Sequence, residues 1–387
     1  MANRIYFANQ QLAFNADTGD ADDWIVAHGV QSVAVTTTFN LEQAFELGQL
    51  AIYENIEGVP DIEVSASKVL DGAPLLYHLG SRRIAVHDDA PNPTLAGRSN
   101  AKCVVGIGVW PDTVDFTDGT DASQEMEASG MFCSSISYNF PVEDNFTEDV
   151  TFVGNNKGWR AGTSALGCPN PGWVFSQQDG GIDGSDSPSG TGGVQRRENL
   201  AFKAATTDNL TSVDYTALPT EIPGVDENGW LNPIQNANNT VHLQNITVST
   251  DLGREELFEL GTRQPYARVV TFPIEVTCDI EVISISGDMI NAFADGCKTN
   301  DDPCTGIADN LSAQKIRIAT CEGTRIYLGT QNKLASVNYG GGDAGGGNVT
   351  VTYSYSTFND CTIVHLADPD ISGSKWWTNR ASHLGGS

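Results

Sequence analysis

Catalysis by a bound metal or an activated nucleophile needs particular side chains at particular spacings, and this sequence supplies few of them. Its histidines (His28, His78, His87, His242, His365, His383) lie far apart, with no H-E-x-x-H pair and no cysteine doublet at zinc spacing. Carboxylates do gather: Asp17, Asp20, Asp22 and Asp23 share one loop, Asp183 and Asp186 another. Neither group fits a calcium loop with its closing glutamate, so both read as solvated acidic turns. Gly106-x-Gly108 lacks the strand-to-helix register of a dinucleotide site, and neither a phosphate-binding G-x-x-x-x-G-K nor a G-x-S-x-G elbow occurs. Trp376-Trp377 offers either a stacking platform or a terminal segment that docks by its indoles, and the apolar area two indoles bury favours docking. The expectation is a chain with no catalytic, metal or cofactor-binding residue and no cofactor, not an enzyme.

The elements around these residues follow from composition. The 387 residues are enough to bury a large core, and 40% hydrophobic with 18% charged residues describes neither a disordered nor a membrane-inserted chain. Lys and Arg number 21 against 49 Asp and Glu, a formal charge of −28 that repels phosphate backbones and excludes a sequence-reading nucleic-acid binder. The start of the chain has no apolar core of a secretory signal, and the eight cysteines (Cys103, Cys133, Cys168, Cys278, Cys297, Cys304, Cys321, Cys361) are irregularly spaced. Reduced, intracellular thiols are expected, with Cys297 and Cys304 the one pair placed to join after release from a reducing cell.

An internal repeat organises the chain. Residues 31–60 align without a gap on 244–273, an offset of 213. Ten positions are identical: Gln31/Gln244, Val35/Val248, Thr37/Thr250, Glu42/Glu255, Phe45/Phe258, Glu46/Glu259, Leu47/Leu260, Gly48/Gly261, Tyr53/Tyr266 and Pro60/Pro273. Chance alone would give about two. Lys102 and Lys315 open strand-like runs at the same offset, and Ser137-Tyr138 matches Ser354-Tyr355 at offset 217. Two similarly folded β domains are expected, at 1–160 and 238–387. Between them, 161–237 is rich in Gly, Pro, Ser and Asp and reads as a connector or insertion.

Alternating β-branched and aromatic residues predict strands at 32–38, 62–69, 102–110 and 131–140, then at 244–250, 274–286 and 348–358. The segments 41–47 and 255–260 read as short helices lying on a sheet, each stopped by Gly48 or Gly261. Polar, turn-rich stretches at 111–130 and 329–347 read as loops, either intermolecular contacts or solvated hairpin tips.

The blocks MANRIYFANQ, LGREELFELGTRQPYARVVTFPIEV, SGMFCSSISYNFPVEDNFTEDVTFVGNNKGW, VQRRENL and VTVTYSYSTFND, taken in order, resemble the major tail tube proteins of tailed bacteriophages. The resemblance implies a mainly β fold of two similar β-sandwich or barrel-like tube domains, each with a short flanking helix, joined by the loop-rich connector. It implies a structural virion protein located in the tail and assembled in the host bacterial cytoplasm. Its rings would be pseudo-hexameric, trimers of a two-domain chain, stacked into an acidic-lined tube. Partners would be further copies of itself, tail terminator, baseplate or tip proteins, tape measure and sheath. DNA would pass without specific binding, and no membrane would be entered. Phe45, Glu46, Leu47, Tyr53, Phe258, Glu259, Leu260 and Tyr266 stand either as subunit contacts or as core packing with one exposed acid. Two other functions fit the two β domains and acidic loops: a capsid-decorating or receptor-binding virion protein, and a glycan-active β-sandwich enzyme with paired carboxylates.

Overall fold

The fold was analysed from a computed structural model, which describes residues 5, 7–16, 24–48, 50, 52–82, 95–98, 100–111, 122–161, 164–166, 193–202, 215–225, 229, 242–284, 287–291, 311–340 and 347–367. The protein is mainly β. Eight antiparallel strands form the principal sheet in the spatial order β3 (Val30–Thr38), β6 (Asp61–Val69), β9 (Thr147–Gly154), β8 (Gln124–Pro141), β12 (His242–Asp251), β15 (Glu275–Ile283), β19 (Thr350–Phe358), β18 (Lys333–Gly340). The first four strands and the last four are two half-sheets with the same internal order. They join where β8 pairs with β12.

Period-2 patterning explains which face is covered. On one side Val64, Ala66, Phe152, Val150, Ile136, Tyr138, Val248, Val276, Ile280, Tyr353 and Tyr355 are buried in one contiguous core that spans both half-sheets. A second layer covers that side. It contains β1 (Gln10–Ala16), β2 (Trp24–Val26), β7 (Cys103–Val109), two short helices, α1 (Leu76–Gly80) and α2 (Leu95–Arg98), and a small sheet of β16 (Arg317–Ala319), β17 (Arg325–Tyr327) and β20 (Thr362–Val364). Phe14 of β1 meets Phe152 across the layers at 5.2 Å between ring centroids. The strand β8 belongs to both layers: its first half pairs with β7 and β10 (Asn156–Ala161), its second with β9 and β12. Gly130 lies between those halves at φ +65, a left-handed conformation that glycine adopts without a Cβ clash.

Several expectations are corrected. The segments 41–47 and 255–260 are not helices. They form the outgoing strands and tips of two hairpins, β4 (Leu41–Ala44) with β5 (Glu54–Glu57), and β13 (Arg254–Leu257) with β14 (Ala267–Val270). The helices of the first half lie at α1 and α2 instead. Residues 124–130 of the expected loop 111–130 belong to β8, and 333–340 of the expected loop 329–347 form β18. The match of Ser137-Tyr138 with Ser354-Tyr355 does not survive either. Ser354 and Tyr355 sit in β19, whose place in the half-sheet is that of β9, so their counterparts are Thr151 and Phe152. In the segment 161–237, the described residues are built into the covering layer: Gln195 is buried between Leu70 and Phe146, and Ala217 bridges Arg317. The acidic clusters at 17–23 and 183–186, the pair Cys297/Cys304, Gly341–Gly346 and Trp376-Trp377 lie outside the described residues. Among the described cysteines, Cys133, Cys278 and Cys361 are buried free thiols, Cys321 is an exposed one, and Cys103 is buried.

Candidate functional site: a concave acidic face and two open edges

The side of the principal sheet opposite the core carries almost only small polar and acidic residues. The outward positions read Ser32, Ala34, Thr36 and Thr38 on β3; Asp61, Glu63, Ser65 and Ser67 on β6; and Thr147, Asp149, Thr151 and Val153 on β9. The pattern continues with Ser135, Ser137 and Asn139 on β8, Asn245, Thr247, Ser249 and Asp251 on β12, Glu275, Thr277, Asp279 and Glu281 on β15, and Thr352, Ser354 and Ser356 on β19. The face is concave, with a hollow of about 840 Å³ lined by Ser65, Ser67, Ser137, Asp149, Ser249 and Thr277 among others. Among the described residues seven carboxylates (Asp61, Glu63, Asp149, Asp251, Glu275, Asp279, Glu281) stand on it, against Lys333 at the β18 edge and Arg268, which reaches Asp61 at 3.5 Å. Hydroxyl-rich strands with interspersed acids stay hydrated and give a phosphate backbone nothing to grip.

The half-sheets agree in detail. In β3 against β6 the register slips between Val30 and Ser32; in β12 against β15 it slips at the positions 213 residues on, between Leu243 and Asn245. A second slip, between Cys133 and Ser135 against β9, has its counterpart between Leu334 and Ser336 against β19. Bulges bend and twist a sheet locally, so shared bulges mean shared curvature. The hairpins correspond residue for residue: Leu41 pairs Glu57 and Ala44 pairs Glu54, while Arg254 pairs Val270 and Leu257 pairs Ala267, all at offset 213. Tyr53 donates its backbone N–H to Ala44 and Tyr266 donates to Leu257, both at 2.9 Å. Gly48 and Gly261 close the tips at φ +95 and +97.

All eight residues singled out from the repeat, Phe45, Glu46, Leu47, Tyr53, Phe258, Glu259, Leu260 and Tyr266, lie at or beside these tips and are exposed. Leu47 and Leu260 are bare, at 103% and 104% of full exposure. Core packing is therefore not their role in the single chain. The pattern FELG could have signalled a tip as readily as a helix end, since glycine in the left-handed region closes both.

The two ends of the principal sheet are unlike its middle. At the β8:β12 joint Tyr138 opposes Val248, Ser137 opposes Ser249 and Asn139 opposes Thr247, and the core-side members are fully buried. At the ends, among the described residues, β3 and β18 each have one paired flank, and on the core side Val33, Val35 and Val337 are only partly buried while Tyr339 is 49% exposed. Sequence reasoning expected an acidic lining without assigning its residues and passed over the β18 edge; the run of Ser, Thr and Asp at alternate positions was the signal for the first.

Beneath the first half-sheet lies a buried polar group. The Glu148 carboxylate accepts the backbone N–H of Leu76 (2.6 Å) and Tyr77 (3.1 Å) at the start of α1, and the Tyr138 hydroxyl at 2.9 Å. Burial pushes its pKa up to about 6, against the downward pull of those donors and of Lys68. Lys68, itself buried, donates to the His28 carbonyl at 2.7 Å and to Asp71 at 2.6 Å. This network fixes α1 to β9 and faces away from the concave side.

No family model and no curated protein matches the chain. Among solved structures it is similar to a chain of the anti-feeding prophage tube-terminating cap, with 11% identity and a TM-score of 0.29 over 42% of this chain and 94% of that one. It is similar also to a chain of the anti-feeding prophage baseplate, with 9% identity and a TM-score of 0.31 over 42% of this chain and 98% of that one. A chain of the sheath–tube complex of an extracellular contractile injection system matches with 13% identity and a TM-score of 0.28, over 41% and 93% respectively. Each overlap spans less than half of this chain.

Proposed function

We propose that the protein is a structural virion component that closes into rings through its two open sheet edges and stacks those rings into an acidic-lined tail tube. The observation that carries this reading is the β8:β12 joint. It unites two half-sheets of like register inside one chain and leaves the equivalent edges, β18 and β3, at its two ends. Long regular edges invite pairing with another chain, and a closed ring removes them. Transferring the internal joint to the ends sets β18 of one copy against β3 of the next, with Ser336 opposite Thr38, Asn338 opposite Thr36 and Tyr339 opposite Val35. Tyr339 and Val35 would then be covered as Tyr138 and Val248 are.

In this reading 1–160 and 238–387 are the two tube domains, 161–237 contributes to the covering layer, and three chains make a pseudo-hexameric ring. Such a ring holds 24 strands, three times the eight of one chain. At about 4.8 Å between strands and a tilt of about 40°, a barrel of that size is about 48 Å across, backbone to backbone. The concave face lines the bore, where its carboxylates repel the phosphates of passing DNA. The exposed tips around Phe45, Leu47, Tyr53, Phe258, Leu260 and Tyr266 meet the next ring. Partners follow from that role: further copies, tail terminator, baseplate or tip proteins, tape measure and sheath, with assembly in the host cytoplasm.

The test is a register-specific cross-link. Thr36→Cys with Asn338→Cys should yield covalent oligomers under oxidation, and Ala34→Cys with Asn338→Cys, two residues out of register, should yield far fewer. Negative-stain images of the wild-type protein should show rings or tubes. Monomers that neither cross-link nor form rings at any concentration would overturn the reading.

A further inference from the structure

Inside the chain, the second hairpin grips the first half-sheet through three arginines. Arg254 donates to the Cys133 carbonyl at 2.8 Å and lies over the Phe132 ring. Arg263 donates to the carbonyls of Glu57 (2.7 Å) and Gly58 (2.9 Å), and Arg268 donates to Asn155 at 3.1 Å. These are charge-assisted contacts that demand defined geometry. At offset 213 the first hairpin has Leu41, Leu50 and Asn55 where these arginines stand. The surface it would meet differs too: the counterpart of Asn155, counted along β9 and β19, is Phe358, and the counterparts of Glu57 and Gly58 are Val270 and Thr271, which the exposed Phe272 follows.

In the single chain Leu41, Leu50, Phe272 and Phe358 are all in water, at 58%, 108%, 57% and 53% exposure. We propose that the β4–β5 hairpin grips the second half-sheet of the next copy through an apolar clasp, with Leu50 at the turn 270–272 that exposes Phe272, and Leu41, on the hairpin face it shares with Asn55, beside Phe358, in place of the arginine clasp used within the chain. The inference rests on the ring reading, because pairing of β18 with β3 is what carries the hairpin across to its neighbour. Two equivalent joints thus differ in chemistry. The internal one is directional and forms as the chain folds; the external one is non-directional, strengthens in excluded salts, and forms only at assembly.

The experiment uses two single variants of the full chain, Leu50→Asp on the hairpin and Phe272→Asp on its receiving surface, followed by sedimentation velocity and thermal melting. Both positions are exposed, so each variant should melt within 2 °C or so of wild type, while the concentration needed for assembly rises at least about tenfold. Mixed one to one, they should form a dimer and nothing larger, because one intact hairpin meets one intact receiving surface. That complementation cannot come from misfolded chains. Assembly of either variant at the wild-type concentration, or failure of the mixture to dimerise, would overturn the clasp. If Thr36→Cys/Asn338→Cys cross-links equally well with Leu50→Asp added, the edges pair without the clasp and the ring reading alone survives. If the wild-type background gives neither cross-link nor ring, both readings fall.

Discussion

The two half-sheets share their concave side and their hairpins but differ behind the sheet. Both bulges, the hairpin registers and the tip glycines recur. The buried pair behind the first half does not: the positions equivalent to Lys68 and Glu148 are Val282 and Val351. Both charges are absent together from the second half; in the first, Lys68 is paired with Asp71 at 2.6 Å and lends its field to Glu148, since a buried charge without compensation is costly. The features that recur set the curvature of the sheet and the shape of the hairpins, and those that differ lie in each half's own core and in the hairpin side chains at 41, 50 and 55 against 254, 263 and 268. The comparison therefore separates the positions that shape the backbone from those that vary behind it.

The strongest way to break the comparison is through the core that both halves share. Phe152 and its counterpart Tyr355 are fully buried on equivalent strands, and truncating either to alanine should cost about 3–5 kcal/mol. Because one contiguous core spans β8:β12, either variant should lower the midpoint of a single unfolding transition followed by both far-UV circular dichroism and tryptophan fluorescence. Two separated transitions, only one of them moved, would show that the halves fold as independent units.

The buried pair sharpens it next. Glu148→Val removes an acceptor from Leu76, Tyr77 and Tyr138 and leaves Lys68 with less compensation, a loss of about 3 kcal/mol. Lys68→Val with Glu148→Val places the valines of the second half at both positions, leaves Asp71, the ion-pair partner of Lys68 and partly exposed, to water, and should recover part of that loss. A double-mutant cycle in denaturant measures it. Strict additivity of the two single losses would mean that the pair does not act as a unit.

A smaller effect concerns pH. Glu148 titrates near 6 in the folded chain, above its ordinary value of 4.5, because burial disfavours its charge. The folded state therefore holds this proton more tightly than the unfolded one. The contribution favours folding fully below pH 4.5 and is lost as pH rises through 6, by about 2 kcal/mol at about 1.4 kcal/mol per pH unit. The difference in unfolding free energy between wild type and Glu148→Gln, followed from pH 7.5 to 4.5, should show that slope. The second half, with valine there, supplies no equivalent.

Much of this architecture was legible in the sequence, and the misses have physical causes. Strands β3, β6, β12, β15 and β19 announce themselves by alternation, since one face is buried and the other wet, and β7 by a short apolar run buried on both faces. The strand β9 hides because Glu148 puts an acid on the buried side, and the helix N-termini that justify it are distant in sequence. The strand β18 hides because an edge needs little apolar content: Ala335, Ser336, Asn338 and Gly340 read as a loop until a partner strand is supplied. The hairpins read as helices because FELG is compatible with either, and only cross-strand pairing such as Glu42 with Ile56 decides. The repeat exposed the equivalence of the halves, but which face was concave depended on bulges that no single strand reveals.

The smallest effect on stability comes from the face that both halves present in common, and there the consequence lies in function. Asp149, Asp279 and Glu281 project from the sheet away from the core, so replacing all three by lysine should change the unfolding free energy by only about 0.5 kcal/mol per site. The charge of each chain rises by six, two for each acid converted. Assembled wild-type particles should then retain no duplex DNA at low salt, whereas triple-variant particles should hold it in a salt-reversible way, because lysines replacing repulsive carboxylates release condensed counterions on contact. The location of the retained DNA matters as much as its amount. If nuclease digests it as readily as free duplex, the acids lie on the outside of the assembly and the concave face cannot be the bore. If it is protected along lengths that track the length of the particle, repulsion by this face is what lets cargo slide, and the shared registers of the two half-sheets are what make that wall continuous.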